Sequence, residues 1–432
     1  MKPARDIVIV GASMAGLRAA EALREGGFSG NLVLVGEEAY EPYDRPPLSK
    51  QVMVGTVEPD RTALPRLARL DARWLRRTRA TGLDHAGRSV LLHDGTRLPF
   101  DRLLVTTGAR ARPWPNAAEA GLAGVFTLRT RDDAAALRAA LRGRPHRVAV
   151  IGGGFTGSEV ASSCRELGLA VTLIERGAMP LAGALGTVVG GAAAALQLAH
   201  GVDLRCGSAV ARLEGDAQGR VRAIHLKDCG SVIEADCVVV ALGALPNADW
   251  LIDSGLAAGP EGLACDACCR VLDRSGAVEG RVFAAGDVAS YPYPLFDDAK
   301  VRLEHWGNAV ATAQVAARNM LGASETACTV SEAPGFWSNQ FDVSIKSIGL
   351  PGIADAMMVA QGTIERGSFV ALYGLSGRLV GAVAFDGGKW LPHYAALIAA
   401  RASFPVATGM DAPHDAATVP PGFPLAPRCP AS

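Results

Sequence analysis

The most regular feature of the chain is a short apolar run, Ile7 to Val10, followed at once by a glycine-bearing turn. A segment with helical spacing of apolar positions comes next, "DIVIVGASMAGLRAAEAL". A run without polar alternation predicts a strand covered on both faces, as in a parallel sheet. The same order of elements recurs at residues 147–177, "RVAVIGGGFTGSEVASSCRELGLAVTLIERG". Each predicted helix leads into a second apolar run, "NLVLVGEE" and "AVTLIE" respectively. Further strands are predicted in "DRLLVTTGARARPWP" (101–115), "ADCVVVALGALPNADWL" (235–251) and "GRVFAAGDVASYP" (280–292). The pattern then changes. "VSIKSIGL", "TIERGSFVALY" and "RLVGAVAF" each read as a strand, "GLSG" (374–377) as a hairpin turn, and "WLPHYAALIAARAS" as a helix. The proline-rich stretch from 415 reads as a loose tail.

The turns carry the chemistry. Gly11, Ser13 and Gly16 occupy the positions of a G-x-G-x-x-G fingerprint, with serine in the middle position. Gly11 permits the turn, Gly16 allows close packing of helix on strand, and the helix N-terminus favours a pyrophosphate. Ser13 is a small steric burden there and a possible hydroxyl donor. The run "NLVLVGEE" ends in Glu37 and Glu38, where an acid can accept hydrogen bonds from ribose hydroxyls; Glu37 is favoured and Glu38 is the alternative. In the second unit Gly152, Gly154 and Gly157 complete the unmodified fingerprint, and "AVTLIE" ends in Glu175. Glu175 repels a 2′-phosphate and accepts a 2′-hydroxyl, which favours NADH over NADPH, and the neighbouring Arg176 moderates that preference. Two dinucleotide sites in one chain suggest FAD together with NADH. Asp287, after Gly286 at a strand end, is placed to hydrogen-bond a ribityl chain, or else serves as an ordinary turn residue.

With 432 residues, two or three domains are expected. The formal net charge of zero and 20% charged residues exclude a disordered chain and argue against nucleic-acid binding. The N-terminal apolar run is short, interrupted by glycine and continuous with a helix, unlike a secretory signal. No uninterrupted apolar stretch is read as reaching the roughly 18 residues of a membrane span, so a cytoplasmic location without membrane contact is expected. Nine scattered cysteines argue against a disulfide framework. "CDACC" (265–269) lacks a second ligand pair for zinc, so no metal is expected and the thiols read as buried or incidental.

One stretch, "YDRPPLSKQV" (43–52), sets two prolines between Arg45 and Lys50 in a region expected near a cofactor, with any helix delayed until after Pro47. Together "RPPLSK" (45–50), "GGGFTGSEVA" (152–161), "FAAGDVA" (283–289), "EHWGNAVATAQVAA" (304–317) and "FWSNQFD" (336–342) resemble the two-dinucleotide flavoproteins that include glutathione reductase. The closer resemblance is to the ferredoxin reductases serving Rieske oxygenases and cytochromes P450, the group of putidaredoxin reductase, and to apoptosis-inducing factor.

This resemblance implies an α/β fold with two Rossmann-like dinucleotide-binding domains plus a C-terminal α+β domain. An FAD-binding domain is expected at 1–112 and 247–325, an NADH-binding domain at 113–246, a C-terminal domain at 326–408 and a flexible tail at 409–432. It places Thr107 and Gly108 along the FAD, Arg129 near its flavin or phosphates, Asp287 on the ribityl chain, and Trp306 and Trp337 near the flavin ring. Lys50 is implied to lie near flavin N5 and to pair with Glu159, a cation stabilising negative charge on the reduced ring. Hydride passes from nicotinamide to flavin in such proteins, and the fold aligns the rings. Disulfide reductases of the wider group carry cysteines in the region corresponding to 39–60, where this chain has none. Electrons are therefore expected to leave the flavin directly, to an iron–sulfur ferredoxin. The alternatives are another acceptor, such as rubredoxin, quinone or oxygen, and an apoptosis-inducing-factor-like protein whose partner binding is switched by NADH. A monomer or weak homodimer is expected. Arg73, Arg76, Arg77 and Arg79 form a basic stretch that reads as a solvated face.

Overall fold

A computed structural model describes residues 4–66, 70–227, 230–322 and 327–406. The tail expected at 409–432 lies outside the described residues. The chain divides into two compact units. The first comprises Met1–Asp44, Ala63–Arg110 and Ala244–Pro334; the second comprises Arg45–Thr62, Ala111–Gly243 and Gly335–Ser432.

The first unit is built on a six-stranded sheet in the order Arg270–Leu272, Val278–Ala284, Arg102–Val105, Asp6–Val10, Asn31–Val35, Arg73–Leu75. All pairings are parallel except that of the first strand named. Ile7 faces Leu32 and Ile9 faces Leu34 in register, and both isoleucines are fully buried, as the unbroken apolar run requires. Helices Met14–Glu25 and Trp306–Leu321 pack on each other, and Leu17, Ala20, Ala313 and Ala316 are among their fully buried residues. Arg73 lies exposed on the edge strand, with Arg76, Arg77 and Arg79 exposed just beyond it. Such charges discourage pairing with another sheet edge.

Among the described residues the second unit contains three sheets. One is five-stranded and parallel, in the order Asp203–Arg205, Val171–Ile174, Val148–Ile151, Cys237–Val240, Val125–Phe126. A three-stranded antiparallel sheet, Val210–Gly215, Val221–Leu226 and Val232–Glu234, shares its core. The third is antiparallel, in the order Gly335–Gln340, Val343–Gly349, Arg378–Phe385, Ser368–Leu375, Ala356–Thr363, with helix Leu391–Ala399 against it.

Three local expectations change. "TIERGSFVALY" is two strands: Ala356–Thr363 ends there, Gly367 donates its N–H to Ile364 at 2.9 Å with φ of +64°, and Ser368–Leu375 begins. The helical turn at the prolines starts before Pro47. Pro46 and Pro47 are the first residues of a 3-10 turn, Pro46–Ser49, where a missing N–H costs nothing, and Lys50 sits in the break before helix Gln51–Val54. Helix Ala182–Ala199 reaches spanning length and apolarity by composition. A third of it is buried, including Leu185, Val189, Ala193 and Gln197, and it is non-helical at Gly186. The hairpin at 374–377 turns through Ser376 and Gly377, both with positive φ.

Candidate active site

The first fingerprint is held by close backbone contacts. Gly11 has φ of +117°, and a Cβ there would lie 2.1 Å from the Thr106 carbonyl oxygen; one on Gly16 would lie 2.0 Å from that of Gly11. Thr106 fastens the turn by donating its hydroxyl to Gly11 O at 2.7 Å. Ser13 sits at the helix N-cap in extended conformation, φ −109°, and makes no capping hydrogen bond with its side chain. Position 13 therefore does not need glycine for its backbone, and the N–H groups of the first helical turn remain unclaimed by a side-chain cap. Glu37 is exposed beyond the strand end, whereas the Glu38 carboxylate accepts the Tyr43 hydroxyl. Of the two candidate acids, Glu37 is thus the one turned to solvent.

The remaining predicted residues of this unit lie on neighbouring strand ends. Thr107 and Gly108 follow strand Arg102–Val105, Gly108 with φ of +65°. Thr107 donates its hydroxyl to Asn247 O at 2.7 Å, while Asn247 returns its amide to Thr107 O at 2.9 Å. Asn247, which the sequence did not single out, is therefore the clasp on this loop. Gly286 has φ of +74° and is fixed by Thr312, whose hydroxyl accepts its N–H at 2.9 Å; Asp287 follows in the same 3-10 turn. Trp306 opens helix Trp306–Leu321, partly exposed, and donates its indole N–H to Asp44 at 3.0 Å.

In the second unit the fingerprint shows a clear division of labour. A Cβ on Gly152 (φ +109°) would meet Ala241 O at 2.4 Å, and one on Gly157 would meet Gly152 O at 1.9 Å, but one on Gly154 meets nothing within 4 Å. The middle glycine thus borders open space at the start of helix Phe155–Glu166, where a Cβ would fill the cradle a pyrophosphate needs. Glu175 closes over this loop, accepting the N–H of Gly153 at 2.6 Å and that of Gly177, while Arg176 is exposed. Both fingerprints fit dinucleotides on these grounds.

The same helix carries Glu159, which is 6% exposed. Its Oε2 accepts Lys50 Nζ at 2.7 Å and the Ser49 hydroxyl, and its Oε1 accepts the Ser338 hydroxyl at 2.8 Å. The predicted Lys50–Glu159 pair is therefore a largely buried ion pair with two further donors. A buried carboxylate is tolerated only when paired and hydrogen-bonded in this way. Ser49 and Ser338 were not anticipated; the adjacency of Ser49 to Lys50 was the one available signal. Arg45 donates to the Arg129 carbonyl at 2.7 Å, joining two more predicted residues, and Trp337 lies exposed on strand Gly335–Gln340.

Six of the described cysteines are held in the thiol form by burial. Burial pushes the thiols of Cys164, Cys265, Cys268 and Cys269 up, that of Cys206 up to about 11 and that of Cys237 up to about 12. Among the described residues no group of three or more His, Cys, Asp or Glu is arranged to hold a metal ion.

Two dinucleotide fingerprints on parallel sheets, a lysine–carboxylate pair beside the second, and a separate antiparallel C-terminal sheet define a two-dinucleotide oxidoreductase. The chain belongs to the pyridine nucleotide-disulphide oxidoreductase family, whose profile matches residues 5–313, and residues 335–418 match the reductase C-terminal family. FAD and NAD(H) are the cofactors of such reductases. The chain is 39% identical over 405 residues to the anthranilate 1,2-dioxygenase system ferredoxin–NAD(+) reductase component of Burkholderia cepacia, covering 92% of this chain and 95% of that one. It is 36% identical over 384 residues to rhodocoxin reductase of Rhodococcus erythropolis, covering 87% and 85% respectively. Among solved structures, putidaredoxin reductase in its covalent complex with putidaredoxin superposes with a TM-score of 0.84 at 30% identity, over 92% of this chain and 94% of that one.

Proposed function

We propose that this chain is an NADH-dependent ferredoxin reductase that delivers electrons to the iron–sulfur ferredoxin of a Rieske oxygenase or a cytochrome P450. Bound FAD supplies the chemistry of accepting an electron pair from NADH and releasing it singly to a one-electron carrier. Gly11, Ser13, Gly16 and Glu37 hold the FAD pyrophosphate and ribose, Thr107, Gly108, Gly286 and Asp287 line its extended chain, and Trp306 is a flavin-side residue. Arg45, Arg129 and Trp337 are proposed as further cofactor contacts. Gly152, Gly154 and Gly157 hold NADH, with Glu175 on its ribose. The FAD-binding domain is drawn at 1–112 and 247–325, the NADH-binding domain at 113–246 and the C-terminal domain at 326–408. Boundaries of the compact units after 110, 243 and 334 support this layout, while Arg45–Thr62 groups by contacts with the second unit. We assign the protein to the cytoplasm, as a monomer or weak homodimer without nucleic-acid or membrane partners.

The observation that carries the reading is the ion pair of Lys50 and Glu159 at 2.7 Å, in a chain with no cysteine at 39–60. Lys50 brings a fixed positive charge to the place where negative charge builds during reduction, and Glu159 holds that ammonium in one position. Neither residue forms a covalent bond with substrate. The decisive measurements are two. Lys50→Gln should slow reduction of the bound flavin by NADH in stopped flow while FAD stays bound; an unchanged rate removes Lys50 from the mechanism. NADH-driven cytochrome c reduction should accelerate on adding a [2Fe–2S] ferredoxin. Fast direct reduction of quinone, with no response to any ferredoxin, would overturn the assignment.

A further inference from the structure

The face of strand Gly335–Gln340 that meets helix Phe155–Glu166 carries Phe336, Ser338 and Gln340, the alternate residues of the strand. Phe336 packs edge-on against Phe155 with ring centroids 4.7 Å apart. Ser338 reaches Glu159, and just past the strand Phe341 donates its N–H to Ser162. Strand and helix are thus matched contact for contact. Two of the matched positions are polar although fully buried: Ser338 and Gln340 are each 0% exposed. Apolar residues would fill such an interface at less cost, since each buried polar group must find its partners.

Those partners form a chain with a direction. Gln197, also 0% exposed, donates from Nε2 to Ser158 O at 3.2 Å and to Gln340 Oε1 at 3.0 Å. With its oxygen taken, Gln340 turns Nε2 toward Ser338 Oγ at 3.4 Å. A hydroxyl has one proton; with Oγ accepting from Gln340, that proton goes to Glu159 Oε1 at 2.8 Å. The steps from Gln197 through Gln340 and Ser338 therefore run toward the carboxylate, while Gln197 also donates to the Ser158 carbonyl. On the opposite side Ser163 donates to Ser49 O at 2.7 Å, and Ser49 in turn donates to Glu159 Oε2. The helix face Ser158, Glu159, Ser162, Ser163 is the hub that ties the Lys50 segment, helix Ala182–Ala199 and the C-terminal strand together.

We propose that Ser338 and Gln340, anchored by Gln197, are positioning residues that fix the Glu159 carboxylate so that Oε2 is presented to Lys50. The C-terminal domain then sets the rate of flavin reduction, in addition to any part in acceptor binding. This inference rests on the role assigned to Lys50 above. Without the Ser338 hydroxyl the carboxylate can rotate about its terminal torsion, and the ammonium loses its fixed place.

The test is stopped-flow reduction of the FAD-loaded protein across a range of NADH concentrations, which separates the limiting rate from NADH affinity. Ser338→Ala should lower the limiting rate roughly tenfold, the scale of one hydrogen bond to a charged group, with NADH affinity unchanged. Ser338→Thr, which keeps the hydroxyl, should recover most of the rate, and Gln340→Met should show a smaller loss in the same direction. The double variant Lys50→Gln/Ser338→Ala should be no slower than Lys50→Gln alone, because Ser338 acts through that lysine. Independent, multiplying losses would mean a general structural effect and overturn the proposal, as would a normal rate in Ser338→Ala beside a slow Lys50→Gln. A normal rate in Lys50→Gln itself would remove the lysine reading, and the positioning role with it. Should Ser338→Ala fail to fold, Gln340→Met, alone and with Lys50→Gln, decides by the same comparison.

Discussion

The three glycines of the second fingerprint are alike in sequence and differ in what they do, which allows folding and binding to be separated. At Gly152 alanine meets two penalties. The backbone lies at φ +109°, where a side chain costs about 1–2 kcal/mol, and the new Cβ falls 2.4 Å from the Ala241 carbonyl, adding about 1–3 kcal/mol of overpacking. The sum is about 2–5 kcal/mol, a large share of the stability of a typical domain. At Gly157 the Cβ would sit 1.9 Å from Gly152 O. That places it about 1 Å inside any tolerated approach and prises the helix from the strand, offset by about 1 kcal/mol of helix propensity. At Gly154 the backbone is extended, φ −72°, and the methyl group points into open space. Gly154→Ala should therefore cost no more than about 1 kcal/mol, the difference between glycine and alanine at an N-cap, well short of the loss at Gly152. It should instead lower NADH affinity at least tenfold, because the methyl occupies the phosphate cradle. Denaturant unfolding of the cofactor-free protein and a fluorescence titration with NADH make the comparison. Equal destabilisation by Gly154→Ala and Gly152→Ala, or unchanged NADH affinity in Gly154→Ala, would refute the reasoning.

Two further outcomes follow from burial. Iodoacetamide at pH 7.5 should leave Cys164, Cys206, Cys237, Cys265, Cys268 and Cys269 unmodified in the native protein, as peptide mass mapping can check; rapid labelling of any of them would contradict the raised thiols described above. His305 is held down to about 4 by desolvation, which outweighs the opposing pull of Glu304. The unfolded chain therefore binds a proton that the folded one does not between pH 6.5 and about 4. The contribution is intact above pH 6.5 and is lost as pH falls toward 4, at roughly 3 kcal/mol in all. His305→Gln should flatten the pH dependence of stability in that window, and an undiminished slope would place the acid sensitivity on other groups.

The fingerprints were legible because their information is local. An apolar run, a glycine at a fixed spacing and an acid at the next strand end are all fixed within about one βαβ unit, and the backbone geometry at Gly11, Gly152 and Gly157 leaves no side chain room. Even the exception at Ser13 has a local cause, an extended backbone that tolerates a Cβ. The strand boundary inside "TIERGSFVALY" was less legible, because the run reads as β-favouring throughout and only the left-handed Gly367 breaks it. The linear reading favoured Glu37 over Glu38 without access to one fact that only the fold supplies, that the Glu38 carboxylate accepts the Tyr43 hydroxyl. The Lys50–Glu159 pair was implied by the family resemblance; what tertiary structure alone decided is the rest of the environment of Glu159, the donors Ser49 and Ser338. Its partners lie 109, 110 and 179 positions away, at Lys50, Ser49 and Ser338. No periodicity links such positions, because hydrogen bonds between distant segments are set by how helix Phe155–Glu166 packs against the C-terminal strand and the proline turn. The sequence determined that two dinucleotides have places to bind; the packing determined which carboxylate is held still, and by what.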